Sequence, residues 1–152
     1  MSSGTKILGE NRKARHNYLI EDTLECGIVL EGTEVKSIRA SQFAFNDAYA
    51  QIENSELWLR SFHITAYKHG TFENHIPDRP RKLLAHKTEI DKLRRKSDEK
   101  GYTLVPLQIH LKKGFIKILI GLGKGKKLYD KRETIKNRDE KRDRDRDLRI
   151  KA

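Results

Sequence analysis

Two stretches of the chain alternate apolar and polar residues with the period of a strand, and each is broken by a turn. In YTLVPLQIHLKKGFIKILIGLG, Thr103, Val105, Leu107, Ile109 and Leu111 alternate, Lys113-Gly114 turns, and Phe115, Ile116, Ile118 and Ile120 return. Pro106 cannot donate to a ladder, so it predicts an edge position or a bulge. In DAYAQIENSELWLRSFHITAY, Tyr49 and Ile52 precede the turn Glu53-Asn54-Ser55-Glu56, and Leu57, Leu59, Phe62 and Ile64 follow it. Trp58 suits either a core or a stacking surface. YLIEDTLECGIVLEG reads as extended structure with a kink near Glu21 to Thr23, closed by Gly32.

Two segments switch to a helical period. TEVKSIRASQ offers Thr33 as N-cap, Val35, Ile38 and Gln42 on one face, and Lys36 and Arg39 on the other. In RPRKLLAHKTEIDKLRRKSDEKG, Leu83, Leu84, Ile90 and Leu93 form one stripe and Gly101 is a C-terminal stop. Met1 to Gly9 read as frayed and Lys68 to Pro80 as a loop. The predicted fold is mainly β with helices (α+β): a six-stranded antiparallel OB-like barrel with short flanking helices. Residues 1–10 are a flexible N-terminus, 11–123 the barrel and 124–152 a basic tail. The expected core is Ile28, Leu30, Val35, Ile38, Leu57, Leu59, Val105, Leu107, Ile118 and Ile120. Barrels of this type use their hairpins to present oligonucleotide-binding surfaces.

Charge narrows the partner. With 33 Lys/Arg against 22 Asp/Glu the chain carries +11, which favours an anion: nucleic acid, an acidic protein or a lipid surface. Residues 121–152 alone hold thirteen Lys/Arg and seven Asp/Glu. With so little apolar area, that tail is expected to be disordered when free and helical against a polyanion; the plain alternative is a solvated terminus without a role. No run approaches the roughly twenty apolar residues of a membrane span, and the first residues lack a signal-peptide core, so a soluble cytoplasmic protein is expected. Cys26 stands alone, in an apolar run that predicts a small buried hydrophobe.

The candidate chemistry points away from catalysis. His63, His69, His75 and His86 come with no paired cysteines, HExxH or carboxylate spacing, so no metal is expected. His16, His63 or His110 could form an RNA-cleaving pair, but histidines also serve RNA surfaces by stacking and by phosphate hydrogen bonds. GLGKGKK lacks the GxxxxGK[ST] spacing of a phosphate loop, and no cofactor is implied. Four basic groups remain: Arg12/Lys13/Arg15, Lys36/Arg39, Arg79/Arg81/Lys82 and Lys124/Lys126/Lys127. Each alone reads as a solvated face; together, beside strand ends and loops, they predict phosphate contacts, with His16, Tyr18, Trp58 and Tyr67 as stacking partners.

NRKARHNYLIEDTLECGIVLEGTEVKSIRA, RPRKLLAHKTEIDKL, KGYTLVPL and GKGKKLYDKRETIKNRD, in that order and spacing, resemble the SsrA-binding protein (small protein B) family from Asn11 to about Asp139. The resemblance implies a bacterial, cytoplasmic RNA-binding protein with an OB-like barrel. Such proteins bind transfer-messenger RNA and deliver it to stalled ribosomes in trans-translation, which tags incomplete proteins for degradation. It implies that Asn11, Arg12, Lys13, Arg15, His16, Glu25 and Leu84, with Lys36 and Arg39 nearby, hold the tRNA-like domain of that RNA. Arg81, Lys82 and Lys124 join this surface as basic candidates. It further implies that Lys126, Lys127, Tyr129, Asp130, Lys131, Arg132, Ile135 and Lys136 occupy the ribosomal decoding site and vacant mRNA channel, with Tyr129 where many members have His. The free protein is expected to be a monomer. The alternatives are a barrel-type translation factor or ribosomal protein that binds ribosomal RNA only, and an RNase using the histidines.

Overall fold

Strand pairing closes on itself. The computed structural model describes residues 5–68, 74–99 and 101–126. In chain order it contains β1 (Thr5–Glu10), α1 (Arg12–Asn17), β2 (Tyr18–Ile28), α2 (Gly32–Arg39), β3 (Phe43–Ala44) and β4 (Tyr49–Glu53). There follow β5 (Glu56–Arg60), β6 (His63–Ile64), β7 (Arg81–Leu84), α3 (Lys87–Ser97), β8 (Tyr102–Lys112) and β9 (Phe115–Gly125). The antiparallel order β8-β4-β5-β7-β2-β9 returns to β8, making a ring of six strands, and β1 extends the second edge of β8. A ring leaves few unpaired edges and encloses one core.

Both hairpins form where the alternation places them. Asn54 and Ser55 take positive φ between β4 and β5, as do Lys113 and Gly114 between β8 and β9, the geometry that matches the twist of two-residue hairpins. The kink expected near Glu21 is a register shift between Ile20 and Asp22 in the β2–β9 ladder, and Pro106 sits at another between Pro106 and Gln108.

Six ring strands were expected, but their membership differs. Tyr18 to Ile28 is one long bent strand, since the bulge bends pairing without ending it. The sixth member is β7, Arg81–Leu84, which the leucine stripe had assigned to a helix. Leu83 faces inward and Leu84 outward, a period of two that four residues are too few to declare. The helix starts later, at Lys87, and stops at Ser97; Gly101 instead takes φ 93° in the turn leading to β8. Thr5 to Glu10, read as frayed, pair with β8 as β1. In α2 the N-cap is Glu31 rather than Thr33, and the Glu31 amide donates to the Glu34 carboxylate at 2.8 Å.

The barrel core gathers Ile38, Leu57, Leu59, Phe62, Ile64, Leu83, Leu104, Ile109, Ile118, Ile120 and Leu122. Cys26 is fully buried there and burial raises its thiol to about 12, as a small apolar residue. Ile28 and Leu30 are only partly buried against that core, and Val35 is also half-buried, because α2 turns Glu34, Ser37 and Ile38 inward instead. Val105 and Leu107 are buried outside the ring, in a second cluster with Ala14, Tyr18, Ile20 and Leu119. Gly121 makes that cluster possible: a Cβ there would lie 2.6 Å from Leu107 Cδ1.

Candidate nucleic-acid interface

The second cluster is the seat of α1. Asn11 caps the helix by accepting from the Ala14 amide at 3.1 Å; its amide Nδ2 donates to Pro106 O at 2.8 Å, and its backbone N–H donates to Leu107 O, also at 2.8 Å. The bulge at Pro106 frees those carbonyls from the ladder and Asn11 takes them up. Ala14 packs inward. Arg12, Lys13, Arg15 and His16 are left exposed on a helix held at both its cap and its buried face. Lys13 reaches Asp47 at 3.3 Å. Between α1 and the start of β4 lies a cavity of about 240 Å³ lined by Asn17, Tyr18, Asn46, Asp47, Tyr49 and Thr103 among others.

The sequence candidates lie at several separate places. Arg12, Lys13, Arg15 and His16 are presented by α1. Glu25 and Leu84 form a second patch: Leu84 is 52% exposed and pairs with Gly27 across β2 and β7. A Cβ on Gly27 would meet Leu84 Cβ at 3.3 Å and Lys117 Nζ at 3.7 Å, so Leu84 and Lys117 close over one glycine two residues from Glu25. Arg39 approaches Gly114 O at 3.5 Å, which brings the end of α2 to the tip of the β8–β9 hairpin. Lys36 lies over the Tyr67 ring at 5.5 Å. Lys124 lies over the Tyr102 ring at 4.8 Å and pairs with Leu19 just beyond α1. Tyr102 donates to Glu21 at 2.7 Å, and this hydrogen bond, followed by desolvation, raises its phenol to about 12. Lys126 reaches Arg15 O at 3.5 Å, so the residue just after β9 lies against the end of α1. Lys127, Tyr129, Asp130, Lys131, Arg132, Ile135 and Lys136 lie outside the described residues.

Two candidates are structural instead. Asn11 is 6% exposed with its side chain committed to the cap and to Pro106, so it builds the surface without standing on it. Arg81 has no exposed area and donates to Glu34 Oε2 at 2.6 Å, to Phe62 O and to Pro77 O. The parity of β7 turns Arg81 inward, while Lys82 points outward and meets Glu56 at 3.7 Å. Burial alone would raise the Glu34 carboxyl, but hydrogen bonds from the Glu31 amide, Arg79 and Arg81 outweigh it and hold it below the usual range.

Among the described histidines, His63, His75 and His110 have separate partners, and His69 lies outside the described residues. His75 bridges Thr33 Oγ1 and Ile64 O, both at 2.8 Å, and His63 meets Asp78 at 3.0 Å. Among the described residues no cluster of three or more His, Cys, Asp or Glu could hold a metal. His110, proposed above only as half of a cleaving pair, lies 3.3 Å from Glu25, and Lys112 joins the same carboxylate. Strand alternation puts His110 and Lys112 on one face, but only the β2–β9–β8 register brings that face to Glu25. No helix of the described residues is long and apolar enough to cross a membrane.

The model of a family described as SmpB protein matches residues 8–150. The chain belongs to the SmpB family. Its relatives carry the family's name: an SsrA-binding protein of Treponema denticola is 51% identical over 147 residues, covering 97% of this chain and 96% of the relative. That of Bacillus subtilis is 54% identical over 138 residues, covering 91% and 88% respectively. A solved chain described as "tmRNA-SmpB: a journey to the center of the bacterial ribosome" superposes with a TM-score of 0.67 at 48% identity, over 78% of this chain and 83% of that one.

Proposed function

We propose that this protein binds the tRNA-like domain of transfer-messenger RNA and delivers it to stalled ribosomes for trans-translation, in the cytoplasm and without catalysis. The observation that carries this reading is α1. Three cations and a histidine stand on a helix fixed to the barrel by Asn11 and Ala14, in a chain whose relatives are SsrA-binding proteins. Preorganised cations bind phosphate with little ordering cost, and the salt dependence of binding counts the contacts. The RNA-binding surface comprises Arg12, Lys13, Arg15 and His16, with Glu25, Leu84, Lys36, Arg39, Lys82 and Lys124 around them. Lys126, Lys127, Tyr129, Asp130, Lys131, Arg132, Ile135 and Lys136 are assigned to the decoding site and the vacant mRNA channel, where cations offset ordering entropy and Tyr129 stacks.

The test has two arms. Full-length protein is titrated with a tRNA-like-domain transcript and with a ribosomal RNA fragment of equal length; equal affinity for both would favour a ribosomal-RNA binder and sink the assignment. A chain truncated after Lys127 is then assayed for RNA binding, ribosome association and peptide tagging. Binding and association should persist while tagging fails, and full tagging would remove the role given to the tail.

A further inference from the structure

A chain of polar side chains runs across the outer face of the barrel and ends at the one acid of the proposed RNA surface. Gln108 Nε2 lies 3.4 Å from His110 Nδ1, His110 Nε2 lies 3.3 Å from Glu25 Oε2, and Lys112 Nζ lies 3.3 Å from Glu25 Oε1. An ionised carboxylate only accepts, so His110 Nε2–H donates to Glu25, with Gln108 beside Nδ1. His110 is 4% exposed and Glu25 remains 37% exposed by its side chain, so the ring is fixed and the carboxylate meets solvent. Burial alone would raise the Glu25 carboxyl, but the hydrogen bonds from Lys112 and His110 outweigh it and keep it ionised.

A carboxylate among cations works against phosphate. It favours RNA only where an RNA donor, a ribose 2′-hydroxyl or a base N–H, arrives opposite it; elsewhere it repels, and so it selects one register of the RNA on the barrel. That selection requires a carboxylate with a fixed direction, since a freely rotating glutamate spends side-chain entropy on every hydrogen bond it makes. Each Glu25 oxygen has one protein donor, which holds the group still and leaves lone pairs on both oxygens for a ligand.

We propose that His110 is a positioning residue for RNA recognition: it aims the Glu25 carboxylate so that its free lone pairs accept a hydrogen bond from a hydroxyl or N–H donor of the bound RNA. The inference builds on the assignment of this face to the tRNA-like domain. In full-length protein titrated with that transcript, His110→Leu should weaken binding about tenfold, the loss expected for a hydrogen bond involving a charged group. His110→Gln keeps a donor of similar reach and should bind within about twofold of the parent. Glu25→Gln should lose as much as His110→Leu, and the double variant should lose no more than either single one.

Parent-like binding by His110→Leu, equal losses from His110→Leu and His110→Gln, or additive losses in the double variant would each overturn the role. Thermal midpoints identify any loss due to unfolding, and should His110→Leu fail to fold, the His110→Gln and Glu25→Gln pair decides the question. A transcript with 2′-deoxy loop residues separates the donors: if it abolishes the difference between parent and Glu25→Gln the donor is the hydroxyl, and a retained difference assigns base N–H. Reversing Arg12, Lys13 and Arg15 is the control. If that reversal also leaves binding unchanged, the surface assignment has failed rather than the role of His110.

Discussion

Arg12-Lys13-Ala14-Arg15 and Arg79-Pro80-Arg81-Lys82 are near twins in composition and opposites in position. The first is wound on a helix whose buried side is a single alanine, so every cation faces water. In the second, β7 alternation drives Arg81 inward to a buried carboxylate, with Arg79 bridging to the same Glu34 from the loop. A cation on the first is available to a partner; Arg79 and Arg81 of the second tie α2 to the strand, and only Lys82 faces outward. Basic clusters therefore carry functional meaning only after the parity of their backbone is known.

The comparison breaks most readily at Arg81. Arg81→Ala takes from the buried Glu34 carboxylate the partner of its Oε2, leaving only Arg79 and the Glu31 amide on Oε1, and should cost about 3–5 kcal/mol, read as a fall in denaturation midpoint. The same network responds to acid. Because the folded Glu34 carboxyl lies below its unfolded value, its contribution is complete at neutral pH and disappears as pH falls through and beneath the ordinary carboxylate range. A Glu34→Gln chain should show a shallower loss of stability across that acid window, measured by urea titration at stepped pH.

Charge reversal of Arg12, Lys13 and Arg15 should do the opposite. RNA binding falls by about 100-fold or more with a reduced salt slope, while the thermal midpoint barely moves, because no buried partner is stranded. A drop in stability matching that of Arg81→Ala would erase the distinction between the clusters. Asn11→Ala lies between the two. It removes a cap and leaves Pro106 O without its donor, costing about 1–2 kcal/mol, and RNA affinity should fall with α1 order although the Asn11 side chain is itself buried. Lys82→Ala is the smallest perturbation: its exposed pair with Glu56 predicts less than about 0.5 kcal/mol in chemical denaturation.

The contrast itself was not legible in the residues, since both clusters read alike as basic groups; parts of the fold around them were. Both hairpins and the Pro106 irregularity follow from local alternation and turn chemistry, whereas the helix α1 carrying Arg12, Lys13 and Arg15 was not read from the sequence. The short strand β7 was not legible, since RKLL satisfies a leucine stripe as well as a strand of four. Nor was β1, whose order comes from pairing with a strand about a hundred residues away. On the surface, Glu25 and Leu84 were proposed by resemblance, but His110 at the side of Glu25 had no local signal, because 85 residues separate them.

By itself, then, the sequence determined the hairpins, a kink near Glu21, an edge or irregularity at Pro106, the net positive charge and the family, because turn propensities, side-chain period, charge and motif spacing are properties of neighbours along the chain. Only the tertiary structure decided that the ring closes through β7, that Asn11 is a peg and Arg81 a buried tie, and that His110 holds Glu25. Those outcomes depend on which face of one strand meets another across long loops, and a shift of one residue in register would turn each of those side chains to the opposite side.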